Sequence, residues 1–248
     1  TYGNREHVPI DQEAELAPII RRVAARGGVI VIPAFAVGRA QALMLHIARL
    51  RERKEIPRVP VYLNSPMAIN ATRHYHAHHS EHHVSEEDCQ RMFDLATFVN
   101  SVEESKALNR QRGPMIIISA SGMATGGRVL HHIEAFGPDD RNAILLAGYQ
   151  AGGTRGAALA AGKPSLRMFG REVPIRAEVV QLQGFSGHAD AGELLDWMRT
   201  APSAPRVVYL THGEPDAADT LRGRVQRELG WRARVPEHLA RVGLEDAQ

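Results

Sequence analysis

Short apolar runs, bounded by glycine, proline or polar residues, alternate along this chain with amphipathic stretches of helix length, and no other feature constrains its fold as tightly. The runs fall at residues 29–32, 59–63, 96–99, 115–119, 143–147, 177–183 and 207–210. They are rich in Val, Ile and Leu, as strands buried on both faces of a sheet are. The helical stretches span 38–51, 66–82, 127–135, 192–200 and 217–228. Ser65-Pro66 reads as an N-cap followed by proline at the first helical position, and Asp190 is placed to cap the helix that carries Leu194, Leu195 and Trp197. Strand then helix, repeated, predicts an α/β protein with a mainly parallel sheet.

Composition narrows the function classes. Apolar residues make up 44% of the 248 and charged residues 23%, ordinary values for a globular chain. No stretch reaches the roughly 18 uninterrupted apolar residues of a membrane span. Cys89 is the one cysteine, which excludes a disulfide framework and a Cys-rich zinc module. No basic-then-apolar leader opens the chain, so the expected location is cytoplasmic. The net charge of +2 permits a polyanionic partner without requiring one, and only Lys54, Lys106 and Lys163 are lysine among 30 basic residues. Coding bias explains the arginine excess more simply than function does, although Arg also suits bidentate phosphate contacts.

Two seams stand out. Residues 11–18 are acidic and interrupted by Pro18, reading as a mobile lead-in or a helix that starts late. Residues 170–174 divide the repeated α/β units from a terminal segment. Six of the 13 histidines fall between His74 and His83. His74-x-His76-x-His78-His79 imitates the H-x-H-x-D-H zinc motif, but a histidine stands where the carboxylate belongs, and the run lies in a helical stretch. The pairs His74/His78, His78/His82 and His79/His83 could chelate a metal adventitiously; a solvated helix face without native metal is the expectation.

Phe185-Ser186-Gly187-His188-Ala189-Asp190 follows an apolar run and precedes a helix, placing His188 where α/β proteins bind ligands. Val207-Val208-Tyr209-Leu210-Thr211-His212-Gly213-Glu214 repeats the arrangement for His212. Residues 115–128 run from a buried strand through Ser119, Ser121, Gly122, Gly126 and Gly127 to Arg128, which would sit in the first turn of a helix. Such a loop either lets backbone amides approach phosphate or is a glycine-rich turn needed for close packing. Gly148-Tyr149-Gln150-Ala151-Gly152-Gly153-Thr154-Arg155 has the same layout and leaves the same two readings.

Together these segments resemble the β-CASP nucleases, the RNA-processing branch of the metallo-β-lactamase fold. Thr1-Tyr2-Gly3-Asn4-Arg5 resembles the end of their E-S-T-Y-G-x-R segment. Residues 32–41 resemble I-P-x-F-A-x-x-R-x-Q, and residues 63–68 resemble D-S-P-M-A. Ser105-Lys106-Ala107-Leu108-Asn109, the 119–128 loop, Gly148-Tyr149-Gln150, the F-S-G-H-A-D segment and T-H-G-E follow in the family's order.

The resemblance implies a three-layer, mainly parallel β-CASP domain over 15–172. Residues 1–14 would be the tail of a metallo-β-lactamase N-terminal part, and 173–248 the returning C-terminal segment of that αββα domain. It further implies that His188 contacts the scissile phosphate and assists proton transfer, with Ser186 beside it, and that His212 ligates one of two zinc ions. Ser119, Ser121, Gly122, Arg128 and Arg155 would hold the backbone of single-stranded RNA. The family's remaining zinc ligands would precede Thr1. The expectation is therefore a zinc-dependent ribonuclease, endo- or exonucleolytic, represented by a part that is inactive alone. Residues 173–248 would leave an apolar surface bare, to be covered by self-association as a homodimer or by a further chain segment. A non-catalytic RNA-binding or scaffolding subunit is the alternative, and His188 with His212 argue against it.

Overall fold

The computed structural model describes residues 2–243; Thr1, the first residue of the T-Y-G segment, lies outside the described residues. The chain divides into two compact units, Ile10–Ser186 and Thr1–Pro9 with Gly187–Gln248. No helix among the described residues is long and apolar enough to cross a membrane.

The first unit opens with α1 (Gln12–Ala25), whose cap Asp11 accepts from the amides of Glu13 and Ala14. This corrects the expected mobile or late-starting segment. Pro18 lies inside the helix, but on its exposed side, where the carbonyl left unpaired four residues earlier is not sealed in the core. Leu16, Ile19, Ile20 and Val23 are buried, and this burial outweighs the proline penalty. The chain continues through β1 (Val29–Pro33), α2 (Arg39–Glu52), β2 (Val61–Leu63), α3 (Pro66–Ala77), α4 (Glu86–Leu95), β3 (Thr97–Phe98), α5 (Val102–Leu108), β4 (Met115–Ser119), α6 (Val129–Phe136), β5 (Ala143–Ala147), α7 (Arg155–Ala160), β6 (Ser165–Met168), β7 (Arg171–Pro174) and β8 (Glu178–Leu182).

Six of these strands form one sheet in the order β3-β2-β4-β1-β5-β8, and every neighbouring pair in it is parallel. Alternate residues of each strand face opposite layers, as the two-residue period of a strand dictates. Ile30, Ile32, Ile116, Ile118 and Leu145 pack with α1, α2, α3 and α4. Val29, Val31, Ile117, Ile144 and Leu146 pack with α5, α6, α7 and the β6–β7 pair.

The segment 170–174, read as a seam, forms one half of a hairpin. Antiparallel β6 and β7 meet at a two-residue turn, Phe169-Gly170, with both φ angles positive (50° and 79°), and Leu166, Met168 and Val173 point into the core. The histidine-rich helix also ends sooner than its composition suggests. Helix α3 stops at Ala77, and His79–Glu81 form a single 3₁₀ turn. The spacing His78/His82 and His79/His83 therefore no longer places those rings on one helical face. His76 bonds Gln90, and His82 bonds the carbonyl of Tyr75.

The second unit contains α8 (Ala191–Arg199), β9 (Val208–Tyr209), α9 (Pro215–Arg224) and β10 (Ala233–Arg234). A π-helical turn, Val225–Leu229, extends α9, and β9 pairs in parallel with β10. Asp190 caps α8 as predicted, and the cap is reciprocal: its carboxylate accepts from the Glu193 amide (2.8 Å), while the Glu193 carboxylate accepts from the Asp190 amide (2.9 Å). Asp190 also accepts from the amide of His7 (2.6 Å), and the amide of Ala191 donates to the carbonyl of Arg5. Tyr2 is buried and bridges Asp190 in parallel, so the 2–7 segment is bound directly to the start of α8.

The Glu193 amide first, and the His7 amide second, hold the Asp190 carboxyl below its ordinary value. Its stabilising contribution is thus present above the usual carboxylate pKa and is lost as pH falls through the lowered one. Asp190→Ala is expected to destabilise this unit by about 0.5–2 kcal/mol, whereas Asp190→Asn keeps most of the cap and loses the acid dependence. Both tryptophans of the chain, Trp197 and Trp231, lie in this unit, so denaturation followed by their fluorescence reads the loss directly.

Candidate nucleic-acid interface

In the first unit the connections leaving neighbouring strands diverge. Those after β2 and β1 lead to the layer of α2 and α3, while those after β4 and β5 lead to the layer of α6 and α7. Because these strands alternate in the sheet, their carboxyl ends enclose a crevice, the position at which open α/β sheets bind ligands. Four stretches form its rim: residues 34–39, 64–67, 119–128 and 148–155. They contain three arginines (Arg39, Arg128, Arg155) and no carboxylate.

A buried polar network fixes the rim. Asn64, at the end of β2, is fully buried, and its carboxamide nitrogen donates to Ser105 Oγ (2.8 Å) and to His132 Nε2 (2.7 Å). Its carboxamide oxygen accepts from Arg128 Nη1 (2.9 Å), and its backbone carbonyl accepts from Ser119 Oγ (2.8 Å). His132 is itself completely buried, with Nδ1 bonded to Asn109. A ring that accepts at Nε2 and donates at Nδ1 is neutral, and burial accordingly pushes its pKa down to about 4.

Glycines set the shape of the loops. Gly127 has φ +77°, and a Cβ there would lie 2.5 Å from the carbonyl oxygen of Ala120. The 119–128 and 148–155 loops are joined by Gly156 N–H to the Met123 carbonyl (2.9 Å) and by Gln150 Nε2 to the Gly122 carbonyl (3.2 Å). These are packing turns, and they line the crevice.

The structure revises two of the expected RNA contacts. Ser119 is 1% exposed with its hydroxyl engaged, and it cannot reach a ligand in the crevice. Arg128 is the N-cap residue of α6 rather than a residue of its first turn. Its guanidinium binds Asn64, the Val99 carbonyl (3.1 Å) and the Asn100 carbonyl (2.7 Å), so it holds the ends of β2 and β3 together. Ser121 is half-buried on the rim, where its Oγ accepts from the Thr125 amide (3.0 Å), and Gly122 beside it is buried against Phe35. Arg155 is half-buried, and its Nε donates to the Arg167 carbonyl (2.9 Å).

Ser186 is half-buried at the end of the first unit; His188 and His212 are exposed and belong to the second. The His188 ring meets Tyr2 edge-on, with centroids 6.2 Å apart, and Tyr2 in turn contacts His7 and lies under Arg5. His212 follows β9 with φ +64°, a left-handed conformation uncommon outside glycine and one that clusters at functional sites. Among the described residues, the single group of three potential metal ligands is His7, Asp190 and Glu193, whose carboxylates serve the α8 cap. No such group includes His188 or His212. The donors described here therefore do not close a zinc site around His212.

The first unit corresponds to a β-CASP domain, and the terminal part of the chain to an associated metallo-hydrolase segment. Residues 40–159 match the family described as "Beta-Casp domain", and residues 172–236 match the one described as "Zn-dependent metallo-hydrolase RNA specificity domain". The chain belongs to the β-CASP family of metallo-β-lactamase-type proteins. It is similar to Ribonuclease TTHA0252 of Thermus thermophilus, at 41% identity over 224 residues, covering 87% of this chain and 50% of the relative. It is also similar to Transcription termination factor FttA of Methanosarcina mazei (32% identity; 98% of this chain, 40% of the relative). The FttA of Methanocaldococcus jannaschii is 33% identical, over 90% of this chain and 38% of that protein. The chain thus spans half or less of the length of these relatives.

Residues 34–39 and Gln150 stand in the sequence only as parts of longer motifs without an assigned role, and His132 does not stand out. His132 carried a faint signal, a histidine on the apolar side of a helical stretch, but only tertiary packing shows that it is dry. Between pH 6.5 and 4 the unfolded chain protonates His132 while the folded chain does not, so acid favours unfolding over that window. The stability lost by pH 4 should be about 3 kcal/mol. His132→Gln should lower stability at pH 7 and flatten this slope, as measured by urea unfolding followed by far-UV circular dichroism.

Proposed function

We propose that this chain is part of a zinc-dependent ribonuclease that acts on single-stranded RNA. The observation that carries the reading is the rim: four stretches at the carboxyl ends of adjacent strands that contain three arginines, Arg128 among them tied into the fold, and no carboxylate. Such a surface favours a phosphodiester backbone and repels acidic ligands. Among the relatives' names we carry over the ribonuclease, because its identity of 41% exceeds that of the termination factors reported above.

In this proposal Ser121, Gly122 and Arg155 meet the RNA backbone, while Ser119 and Arg128 act through the network that holds the loops. His188 contacts the scissile phosphate and assists proton transfer, with Ser186 beside it. Its exposure and its edge-on contact with Tyr2 support this, since a proton-transfer group needs solvent or substrate access and a fixed ring. His212 is assigned as a ligand to one of two zinc ions, and its left-handed backbone supports a position set by function rather than by packing. The other zinc ligands are assigned to parts of the relatives that this chain does not span. The division 1–14, 15–172 and 173–248, a cytoplasmic location and a homodimer belong to the same proposal.

Two measurements test it. In the whole protein, His212→Ala should reduce cleavage of a single-stranded RNA at least about 100-fold and lower the bound zinc, consistent with loss of a ligand. His188→Ala should reduce cleavage comparably with zinc content unchanged. The 248-residue chain alone should neither cleave RNA nor carry two zincs. Near-normal turnover of the His212 variant, or two tightly held zincs in the isolated chain, refutes the metal assignment.

A further inference from the structure

One group on the rim has no part in the fold that explains its placement. Phe35 lies in the short loop between β1 and α2, and it is 49% exposed. Its backbone is not loose: the Ala40 amide donates to its carbonyl, and the preceding Ala34 amide donates to the carbonyl of Ser119. The ring rests on the backbone of Gly122, where a Cβ would come within 3.0 Å of ring atom Cδ2 and of the Phe35 amide nitrogen. Gly122 therefore leaves room for the ring on one side, and solvent meets it on the other. Val37, in the loop after β1, and Met67, in the first turn of α3 after β2, are 62% and 68% exposed, on either side of the loop that follows β4.

An aromatic ring held in place at a ligand crevice forgoes burial that a polar side chain would not need. The neighbouring charge indicates what covers it. A protein partner would require a continuous apolar area, whereas here separate apolar side chains stand in stretches that also carry Arg39 and Arg155 and hold no carboxylate. A flat π surface interleaved with cationic groups suits a single-stranded nucleic acid, whose bases stack while its phosphates meet the arginines.

We propose that Phe35 is a stacking platform for one unpaired nucleobase of RNA bound at this rim, with Val37 and Met67 forming the apolar sides of the base slot. This deepens the RNA reading given above and rests on it. Stacking on an aromatic face is tolerant of base identity, so Phe35 contributes affinity and register rather than sequence choice.

The test uses the 248-residue chain and a single-stranded oligoribonucleotide carrying 2-aminopurine, whose fluorescence falls when the base stacks. The wild-type chain should bind it in a salt-dependent manner and quench its fluorescence. Phe35→Ala should bind roughly 5- to 100-fold more weakly and lose the quenching, while Phe35→Trp should restore both. Circular dichroism of each variant checks that the fold is retained, as expected for a half-exposed side chain. Unchanged affinity and quenching in Phe35→Ala, with RNA still bound, overturns the stacking assignment and leaves the RNA reading standing. So does a Phe35→Ala effect confined to the oligomeric state in sedimentation. Failure of the wild-type chain to bind any RNA, at low salt and with the fold intact, overturns the RNA reading at this rim and the stacking assignment with it.

Discussion

The carboxamide of Asn64 is the constraint on which the crevice depends. Its nitrogen donates to Ser105 and His132, its oxygen accepts from Arg128, its backbone carbonyl accepts from Ser119, and its amide donates to the Ile118 carbonyl. A buried amide left unpaired is costly, and one fully paired is directional, so the residue admits a single arrangement of its neighbours. Those neighbours come from α5, β4, α6 and the cap of α6. One dry, fully bonded side chain thus sets how the segments after β2 and β4 emerge from the sheet. The positive charge of Arg128 is part of that structure, even where it adds to the potential of the rim.

Much of this fold is legible in the sequence, for reasons that can be stated residue by residue. Met115–Ser119 and Ala143–Ala147 have every residue buried, so nothing polar blurs their ends, and sequence and structure agree on both boundaries. Helix α1 is hidden by Pro18, because local propensity cannot register that Leu16, Ile20 and Val23 will all be covered. The β6–β7 hairpin is hidden because Arg167, Arg171 and Glu172 on its outer side dilute the inward Leu166, Met168 and Val173.

The site is legible in its parts and not in its division of labour. Spacing brings out Ser119, Ser121, Gly122 and Arg128 as one loop, and the structure separates them. Ser119 and Arg128 are consumed by the fold, Gly122 is buried against Phe35, and Ser121 remains half-buried at the rim. Sequence carries no sign of which polar group will be desolvated, since that depends on elements distant along the chain. Phe35 illustrates the converse, an apolar residue within a strand-to-helix connection that the fold leaves 49% exposed.

The ends of the first unit are tied to each other. Gln12 donates to the carbonyl of Gly184 (3.0 Å), and the amides of Gln183 and Gly184 donate to the carboxylate of Glu15. A folded body whose first and last turns already touch can be spliced into a host chain at one surface point. It asks almost nothing of the host in loop-closure entropy, because the host sees only a short gap whatever the length enclosed. Residues 10–186 have the form of a cassette, able to be gained, lost or exchanged as a whole while the segments on either side of it keep their own partners.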